Sequence, residues 1–467
     1  MSENSNVSEG IKVVQTDVGA KDGQNKCPKC GATEISLNTK TGKLRCNFCR
    51  HEFEPEKVEG LETDISKLEG NIIGSGAQDI VQDTNDVVTF KCESCGAEVV
   101  IDTSEVTQAR CHWCRNTLSV NEQIPNGSIP DAVLPFKLTK AEARTQIESF
   151  VNKRRFFANT QFKQEFTTEN IMGVYFPYMV VDINSHVSLK GKGERLVRSY
   201  TRGSDENKRR YYDADLYKVE RYFDLTIKGL TVESSSDKLK KSESNTNNVI
   251  NAIMPFDTEN CVKWDANYSK GYSSEKRDMN ATNLSSLVGS QSKDVARFAA
   301  NDTLIEYNRG VKWEQEKLEM KGTQWKAAYL PVWLYSYQEV KRNKKVLHYV
   351  AVNARTKETM GSIPIHMPKL LLISTIIEII GVILALIIAS SSEEPGILVI
   401  LLMLAGLIYF GVMYSKYRNK GARHFHETET EKEVSNMSKI DELIKHQTGL
   451  TNSSMNGANN MRVNGTI

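Results

Sequence analysis

The sequence predicts a multidomain protein that combines two small four-cysteine modules, a mixed α+β soluble domain with antiparallel strands, and a C-terminal pair of membrane-spanning helices. Three observations predict this organisation: a repeated Cys-x-x-Cys pattern, a long region of strand and helix patterns, and two apolar runs. A chain of 467 residues is too long for one compact core. The formal charge of +2 implies no bulk attraction to nucleic acid or acidic lipid.

The N-terminal segment, residues 1–25, is polar and has no apolar run of the kind that a signal peptide needs. We expect this segment to be disordered and the following domain to stay in the cytosol, where thiols remain reduced. Eight of the nine cysteines fall in Cys-x-x-Cys pairs. In a reducing compartment this pattern indicates metal binding rather than disulfide bonds.

Two modules, residues 26–54 and 88–120, each carry two Cys-x-x-Cys pairs that are separated by fifteen residues. Zn²⁺ takes four thiolates in a tetrahedron, and two such pairs on adjacent hairpins supply them. Gly31 and Gly96 follow the second cysteine of each module and suit a tight turn toward the sulfurs. A redox dithiol is the alternative. The two predicted four-cysteine zinc ribbons are closed, non-catalytic sites for two structural ions, and their ligands are Cys27, Cys30, Cys46, Cys49, Cys92, Cys95, Cys111 and Cys114.

The residues around the cysteines decide between structural modules and nucleic-acid modules. Residues 1–60 hold nine Lys or Arg and nine Asp or Glu, so the sequence shows no basic face for a nucleic acid. Phe48, Phe53 and Trp113 are predicted to fill the small ribbon cores, and stacking on bases is the alternative. Seven basic residues are expected to offset the thiolate charge: Lys26, Lys29, Arg45, Arg50, Lys91, Arg110 and Arg115.

A polar linker, residues 55–87, separates the modules and contains one short predicted helix in "EPEKVEGLETDISKLEG". The α+β domain spans residues 130–368. In this domain "LTKAEARTQIESFVNKRRFF" predicts a helix that Thr139 caps. Two segments, "GVYFPYMVVDINSHVSLKGKG" and "DLYKVERYFDLTIKGLTVE", are rich in β-branched and aromatic residues and predict strands. Residues 327–365 predict a three-stranded meander with turns at "RNKK" and "ARTKET".

A weak internal echo runs through the α+β domain. "VLPF" at 133–136 is matched by "IMPF" at 253–256, and "YFPYM" at 175–179 by "YLPVW" at 329–333. An internal duplication and chance both explain matches this short, and the sequence leaves the choice open.

Two apolar runs, residues 370–389 and 397–413, predict a transmembrane helical hairpin, since about 20 residues cross a bilayer core of roughly 30 Å. A pair of buried core helices is the alternative. The short link carries Glu393 and Glu394, whereas basic residues flank the outer ends, so a two-pass protein of the cell membrane with both termini cytoplasmic is predicted. The flanking basic residues are Lys369, Lys416, Arg418, Lys420 and Arg423.

Glu378 is the one charge within the first run, roughly 15 Å from its start. The apolar neighbours compensate the cost of inserting it, but a charge at this depth needs an explanation. Two are open: a protonated carboxyl that bonds to a neighbouring helix, or a contact with a partner or a second copy of the chain.

The polar tail, residues 421–467, contains a short predicted helix in "EKEVSNMSKIDELIKHQ". No enzyme is predicted, because the sequence has no phosphate-cradling loop, no Gly-x-Ser-x-Gly and no His-Glu-x-x-His. Asp213, Asp215 and Asp224 alternate with aromatic residues, which indicates a solvated strand face rather than catalytic acids. Cys261 is predicted to be a small buried residue.

"CPKCG…LRCNFCRHEF" and "CESCGAEVV…ARCHWC" resemble the zinc ribbon of the transcription factor B type. Together with "AVLPFKLTKAEA", "YLPVWLYSY" and the apolar runs, residues 26–415 resemble a group of bacterial membrane proteins labelled zinc-ribbon-containing or primosomal replication proteins. This resemblance implies association with membrane-stress proteins of the phage-shock and flotillin-like kinds.

We therefore expect a membrane-anchored cytosolic adaptor that recruits membrane-associated protein partners in an envelope stress response. The hairpin would bind the lipid bilayer, and self-association through its helices is open. The alternative is a membrane-tethered nucleic-acid-binding zinc-ribbon protein.

Overall fold

The computed structural model describes residues 11–14, 16, 27–32, 35–38, 41, 43–58, 64–78, 87–91, 98–102, 111, 123–124, 130–202, 209–236, 253–264, 268, 272–341, 344–391, 397–418, 431–444 and 452–454. These ranges contain most of the first four-cysteine module, most of the α+β domain, and both apolar runs without the link between them.

Strands dominate the described residues, and three of them exceed twenty residues. In chain order they are β1 (Ile11–Val14), β2 (Ile35–Leu37), β3 (Leu44–Cys46), β4 (Glu52–Phe53), β5 (Gly70–Gly74), β6 (Val87–Lys91), β7 (Glu98–Asp102), β8 (Gln123–Ile124), β9 (Ala132–Val133), β10 (Met172–Arg202), β11 (Arg209–Glu233), β12 (Val262–Lys263), β13 (Ser273–Glu275), β14 (Val311–Lys341), β15 (Lys344–Asn353), β16 (Thr359–Gly361), β17 (Glu431–Leu443) and β18 (Asn452–Ser454).

The helices cover the sheet or form the apolar C-terminal region. In chain order they are α1 (Ser75–Gln78), α2 (Lys140–Asn152), α3 (Thr160–Glu165), α4 (Ala281–Asn301), α5 (Met367–Ser391), α6 (Ile397–Met403) and α7 (Ala405–Tyr417). Short 3₁₀ helices occur at Ile65–Lys67, Arg155–Phe157, Thr168–Asn170 and Thr258–Asn260.

Strand β10 lies at the centre of the large sheet, antiparallel to β11 on one side and to β14 on the other. Both predicted strands are confirmed, and β10 is longer than its predicted segment, with 31 residues. At a rise of about 3.3 Å per residue, a straight strand of this length would span about 100 Å. The large sheet is therefore far longer along its strands than an ordinary domain.

The two faces of β10 pack against different clusters. Even-numbered residues such as Phe176 and Tyr178 lie in one buried cluster with Leu330 of β14. Odd-numbered residues lie first in a cluster beside α2, which includes Tyr175, and then in a cluster beside α4, which includes Ile183. Because successive side chains of a strand point to opposite faces, β10 contributes to the hydrophobic core on both sides of the sheet.

Helix α2 begins at the predicted cap. The hydroxyl of Thr139 accepts a hydrogen bond from the backbone N–H of Glu142 at 3.3 Å, and the Glu142 carboxylate accepts one from the backbone N–H of Thr139 at 3.0 Å. This reciprocal pair satisfies two of the backbone donors left open at a helix start. Ala143, Ile147 and Phe150 form the buried side of the helix.

The predicted meander is confirmed: β14 pairs with β15, and β15 pairs with β16, each antiparallel. The echoed segments also meet, because Tyr175 pairs with Pro331 and Pro177 pairs with Tyr329. Equivalent positions of the two Tyr-x-Pro motifs are therefore exchanged about a local two-fold axis between β10 and β14. Duplicated units would give this arrangement, and the duplication stays a hypothesis.

The linker joins the large sheet instead of separating domains. The short predicted helix is reduced to the 3₁₀ helix Ile65–Lys67, after which β5 runs parallel to β14 and pairs Gly70 with Gly322. A Cβ atom at Gly322 would lie 2.2 Å from the carbonyl oxygen of Leu68. The absence of a side chain at Gly322 is what lets the linker approach β14 so closely.

The second cysteine module also contributes to the large sheet. Strands β6 and β7 form an antiparallel pair, and β7 pairs with β13, which is parallel to β10. The described part of this module is therefore an extension of the sheet edge.

One helix, α5, is long and apolar enough to cross a membrane, and α6 with α7 is a second candidate if this pair, bent by 62°, counts as one span. The beginning of α5 and the end of α7 meet at the 3₁₀ helix Arg155–Phe157. There the Phe157 carbonyl accepts a hydrogen bond from the backbone N–H of His366 at 2.8 Å, and its N–H donates to the Tyr417 hydroxyl at 3.0 Å.

The prediction of a helix in the polar tail is wrong, because residues 431–443 form β17. This strand pairs antiparallel with β11, with Tyr217 opposite Leu443 and Lys228 opposite Glu431. The segment has helix-forming Glu, Lys and Met residues, but a strand paired with β11 satisfies the backbone groups of both strands, whereas a helix would satisfy only its own. Tertiary pairing outweighs local propensity here.

Candidate metal centre and its surroundings

The first four-cysteine module is built from two equivalent turns. The backbone N–H of Gly31 donates to the Cys27 carbonyl at 2.9 Å, and that of Arg50 donates to the Cys46 carbonyl at 3.0 Å. Both turn residues have a left-handed backbone, with φ of 71° at Gly31 and 63° at Arg50. Glycine was predicted to suit this turn; arginine adopts the same conformation at a steric cost.

The two turns bring all four sulfurs within 4.8 Å of one another. The Sγ atoms of Cys27 and Cys49 are 3.6 Å apart, as are those of Cys30 and Cys46. Zn–S bonds of about 2.3 Å in a tetrahedron would place sulfurs about 3.8 Å apart. The four thiols therefore fit a tetrahedral metal ion such as Zn²⁺, as the spacing predicted.

The thiols differ in their readiness to lose a proton. Burial acts to raise the pKa of Cys27, but hydrogen bonds from the backbone N–H groups of Lys29 and Cys30 outweigh it and lower the pKa to about 7. The hydrogen bond from Ala32 acts to lower the pKa of Cys30, yet burial and the other three sulfurs raise it to about 12. A cation at the centre would favour the thiolate form of both.

Within the described ranges, one group of four cysteines has this geometry. Cys92, Cys95 and Cys114 of the second predicted site lie outside the described residues. Cys111 is buried in the same cluster as Leu134 and Phe176. The second zinc site stays a prediction.

The aromatic residues of the first module do not all fill its core. Phe53 packs against the cluster that contains Ile35 and Leu44, as predicted, whereas Phe48 is 81% exposed. The prediction is wrong for Phe48 because it lies between Cys46 and Cys49 on the turn, where only the backbone and sulfurs face inward. Trp113 lies outside the described residues.

The module is packed onto the large domain. Ile35 and Leu44 are 1% and 2% exposed, and they belong to the same buried cluster as Phe136, Leu370 and Tyr417. Sequence reasoning missed this because a pattern of short apolar strands does not reveal what lies against them. The strands of the first module, α2 and the beginning of α5 therefore share one core.

Glu378 contacts the neighbouring helix, as the first of the two explanations requires, and the protonation of its carboxyl stays a prediction. One of its carboxylate oxygens accepts hydrogen bonds from the backbone N–H groups of Gly406 at 2.6 Å and Leu407 at 3.2 Å. These N–H groups lie in the first turn of α7, just after the bend at Leu404, where no helical carbonyl can reach them. An acceptor at a helix start also interacts favourably with the helix dipole.

Strand β17 is attached by an ion pair with a buried arginine, which sequence reasoning did not find. Arg221 is fully buried and donates from two nitrogens to both carboxylate oxygens of Asp441, at 2.5 Å and 3.0 Å. It also donates to the hydroxyl of Thr303 at 2.8 Å. A planar guanidinium can donate two parallel hydrogen bonds to one carboxylate. This pair therefore fixes both the distance of β17 from β11 and its register along that strand.

A second contact lies at a bulge in the same strand. Asn436 has a left-handed backbone with φ of 56°, and its side-chain amide donates to Asp224 at 3.0 Å. Asp224 also accepts from Lys321 at 2.8 Å and pairs with His186 at 2.9 Å. The Lys321 hydrogen bond, followed by those of Asn436 and His186, lowers the pKa of Asp224. Asp224 lies on the partly solvated face of β11, opposite the buried Phe223 and Leu225, and its donors come from three other strands.

Asp213 and Asp215, which were predicted together with Asp224 to lie on a solvated strand face, also have basic partners. Asp213 pairs with Arg198 at 2.6 Å and Asp215 with Arg195 at 3.4 Å. Cys261 is half-buried, and burial raises the pKa of its thiol to about 12.

Comparison with known proteins gives one distant relative and no family. The chain is similar to the uncharacterized protein YdjG of Bacillus subtilis (strain 168), with 23% identity over 344 residues, which are 74% of this chain and 91% of that protein. No protein-family model matches the chain, and no solved structure matches it significantly.

Proposed function

We propose that this protein is a membrane-anchored, non-catalytic adaptor whose first zinc ribbon presents a protein-binding surface beside the cytoplasmic face of the membrane. The observation that carries the proposal is the shared core: Ile35 and Leu44 of the ribbon lie in one buried cluster with Leu370 and Tyr417, at the ends of the apolar helices. A ribbon that shares this core is held on the same side of the membrane as the α+β domain.

Two contacts support a two-pass arrangement with both flanks of the apolar region on one side of the membrane, which the charges assign to the cytoplasm. The chain that leaves α7 returns as β17 to pair with β11, a strand that precedes α5 in the chain. The two ends of the apolar region also meet at one 3₁₀ helix. A single crossing would put β17 and β11 on opposite sides of the membrane. The acidic link and basic flanks favour the same orientation.

The Glu378 contact supports pairing of the spans. Its two backbone hydrogen bonds satisfy donors that would otherwise face hydrocarbon at the bend between α6 and α7. An oligomer is therefore not needed to explain this residue, although self-association through the outer faces of the helices stays within the proposal.

Phe48 is the proposed centre of the recruitment surface, because large exposed aromatic residues commonly anchor protein interfaces. Membrane proteins of the phage-shock and flotillin-like kinds are the first partners to test, with envelope stress as the setting. Docking beside the bilayer would raise the effective concentration of partner and adaptor.

A nucleic-acid-binding role is the second candidate, and the same exposed ring favours it. Phe48 is available for stacking on a base, and Lys29 and Arg50 on the two cysteine turns are exposed cations. This role predicts binding that weakens steeply with salt.

A pull-down from mild-detergent membranes separates the two roles. The full chain, Phe48→Ala and the matched control Ile305→Ala, another strongly exposed apolar residue at 84%, are compared with and without nuclease. We expect specific membrane proteins to be retained by the full chain and by Ile305→Ala, and to fall at least about tenfold with Phe48→Ala, the loss of one interface anchor.

Nuclease should leave these partners in place. Partners that Phe48→Ala retains in full would contradict the proposed surface. Recovery of nucleic acid that depends on Phe48, without a stable protein partner, would favour the second role.

A further inference from the structure

Seven basic side chains surround the place where α5 begins and α7 ends. We call them the juxtamembrane basic cluster: Lys153, Arg154, Arg155, Lys163, Lys369, Lys416 and Arg418. They come from three separate parts of the chain and are brought together by folding. The cluster contrasts with the near-neutral chain as a whole, whose formal charge is +2.

Contacts across the helix ends hold the cluster in place. Arg154 donates to the backbone carbonyl of Lys416 at 2.9 Å, and its guanidinium lies 3.5 Å from the ring centroid of Phe150. Lys369 donates to the backbone carbonyl of Phe156 at 3.0 Å. These bonds fix the level of the cluster at the first turn of α5 and the last turn of α7.

The cluster lacks carboxylate partners among the residues that the structure describes. Ion pairs hold many basic residues elsewhere on the sheet, such as Lys192 with Glu314 and Lys321 with Asp224, but none is formed by these seven. Burial, followed by the charges of Lys369 and Arg155, lowers the pKa of Lys163. The positive charge here is therefore not neutralised within the described protein.

An exposed aromatic ring beside the cluster indicates the level of the cluster relative to the membrane. Phe156 is 59% exposed, and the ammonium of Lys369 lies 3.8 Å from its ring centroid. Tyr414 and Arg418 form a similar pair at the end of α7, at 5.0 Å. Aromatic rings beside cations are typical of the headgroup level of a membrane protein, where rings meet the acyl boundary and cations meet phosphates.

We propose that the juxtamembrane basic cluster is a binding site for the phosphate groups of anionic phospholipids in the cytoplasmic leaflet, with Phe156 inserted at the acyl boundary. This inference rests on the proposed membrane anchoring of α5 and α7. A folded set of cations at fixed positions would select acidic headgroups over zwitterionic ones, because each unneutralised cation near the surface adds attraction for anionic lipid.

The test uses full-length protein that is purified in mild detergent, delipidated and titrated with phosphatidylglycerol or phosphatidylcholine, with bound lipid counted by native mass spectrometry. We expect preferential retention of phosphatidylglycerol. Arg155→Gln with Lys416→Gln should weaken it by about fivefold for each charge removed. Both side chains are exposed and form no described side-chain hydrogen bond.

Two matched variants sharpen the result. Lys293→Gln with Lys312→Gln removes the same charge from exposed positions outside the cluster, on α4 and at the beginning of β14. This variant should keep the preference for phosphatidylglycerol. Arg155→Lys with Lys416→Arg keeps the charge and should keep it too. Loss of the preference in either variant would overturn the proposal, since charge at the helix ends would not be the cause.

The remaining outcomes are equally decisive. Equal retention of both lipids by the full chain overturns the lipid site, as does competition by inorganic phosphate that matches phosphatidylglycerol. Alkaline carbonate extraction of membranes tests the anchoring separately: release of the chain would overturn the proposed membrane protein itself, whereas a retained chain without lipid preference would overturn only the lipid site.

Discussion

The first cysteine module and strand β17 both pack onto the large domain, and the chain attaches them by different chemistry. The module has three strands of two or three residues each, and four thiols converge at its end. Strand β17 has thirteen residues, a backbone ladder to β11, and an ion pair between its Asp441 and the buried Arg221.

The difference follows from how much structure each segment can form for itself. Strands of two or three residues supply few hydrogen bonds and little buried area, so a metal ion must provide most of the free energy of folding. A thirteen-residue strand gains a full ladder, and its side-chain contacts then decide where it sits. Metal loss and charge loss should therefore affect different segments.

The largest expected effect is loss of the metal site. Cys46→Ser removes a ligand whose metal contributes on the order of 10 kcal/mol in small zinc modules. We expect the full chain to lose one equivalent of zinc by elemental analysis, and amides of residues 27–53 to lose protection in hydrogen exchange. Amides in the middle of β10 should stay protected, because that strand is paired on both sides.

Cys261→Ser is the matched control, because this thiol lies outside the cluster and should leave the metal content unchanged. Cys111→Ser tests the second predicted site. Loss of a further equivalent would support two ions per chain, and an unchanged content would contradict the second site. If the amides of residues 27–53 stay protected without metal, the metal does not provide most of the free energy of folding of the first cysteine module.

The next effect concerns the attachment of β17. Asp441→Ala leaves the fully buried Arg221 without its counter-charge, which costs about 3 kcal/mol. We expect amides of β17 to exchange about a hundredfold faster, since each 1.4 kcal/mol is a factor of ten. The cysteine module should keep both its protection and its metal.

Asp215→Ala is the control for this change, because its pair with Arg195 is half-exposed and should contribute at most about 1 kcal/mol. Equal effects of the two substitutions would show that burial of Arg221 does not set the strength of attachment.

The sequence predicted those features that local pattern determines. The Cys-x-x-Cys spacing predicts the cluster, Thr139 predicts the beginning of α2, and alternation of apolar residues predicts β10, β11 and the meander. Each rests on residues close together in the chain. The prediction failed for β17, where Glu, Lys and Met favour a helix and only the open edge of β11 makes a strand preferable.

The remaining features depend on partners far away in sequence. Arg221 and Asp441 are 220 residues apart, and Glu378 finds its donors 28 and 29 residues further on. The exposure of Phe48 depends on which way a four-residue turn faces. No periodicity reveals such contacts, because they are fixed by packing of whole elements.

The smallest expected effect is a pH dependence at the bulge of β17. The hydrogen bonds from Lys321, Asn436 and His186 lower the pKa of Asp224 below its unfolded value of about 3.9. The contact therefore stabilises β17 above that pH, and its contribution is lost as the pH falls toward the lower folded pKa. Because Lys321 is 46% exposed, we expect about 1 kcal/mol or less.

Hydrogen exchange of β17 in the full chain and in Asp224→Asn, compared at the same pH, measures this contribution. At pH 6 the variant should exchange a few-fold faster, within the fivefold that corresponds to about 1 kcal/mol, and the difference should shrink as the pH falls below about 3.9 toward the folded pKa. Asn436→Gly keeps the left-handed backbone and removes one donor, so it should show part of the difference. A difference that persists unchanged at pH 3 would assign the stabilisation to packing at the bulge rather than to the Asp224 charge.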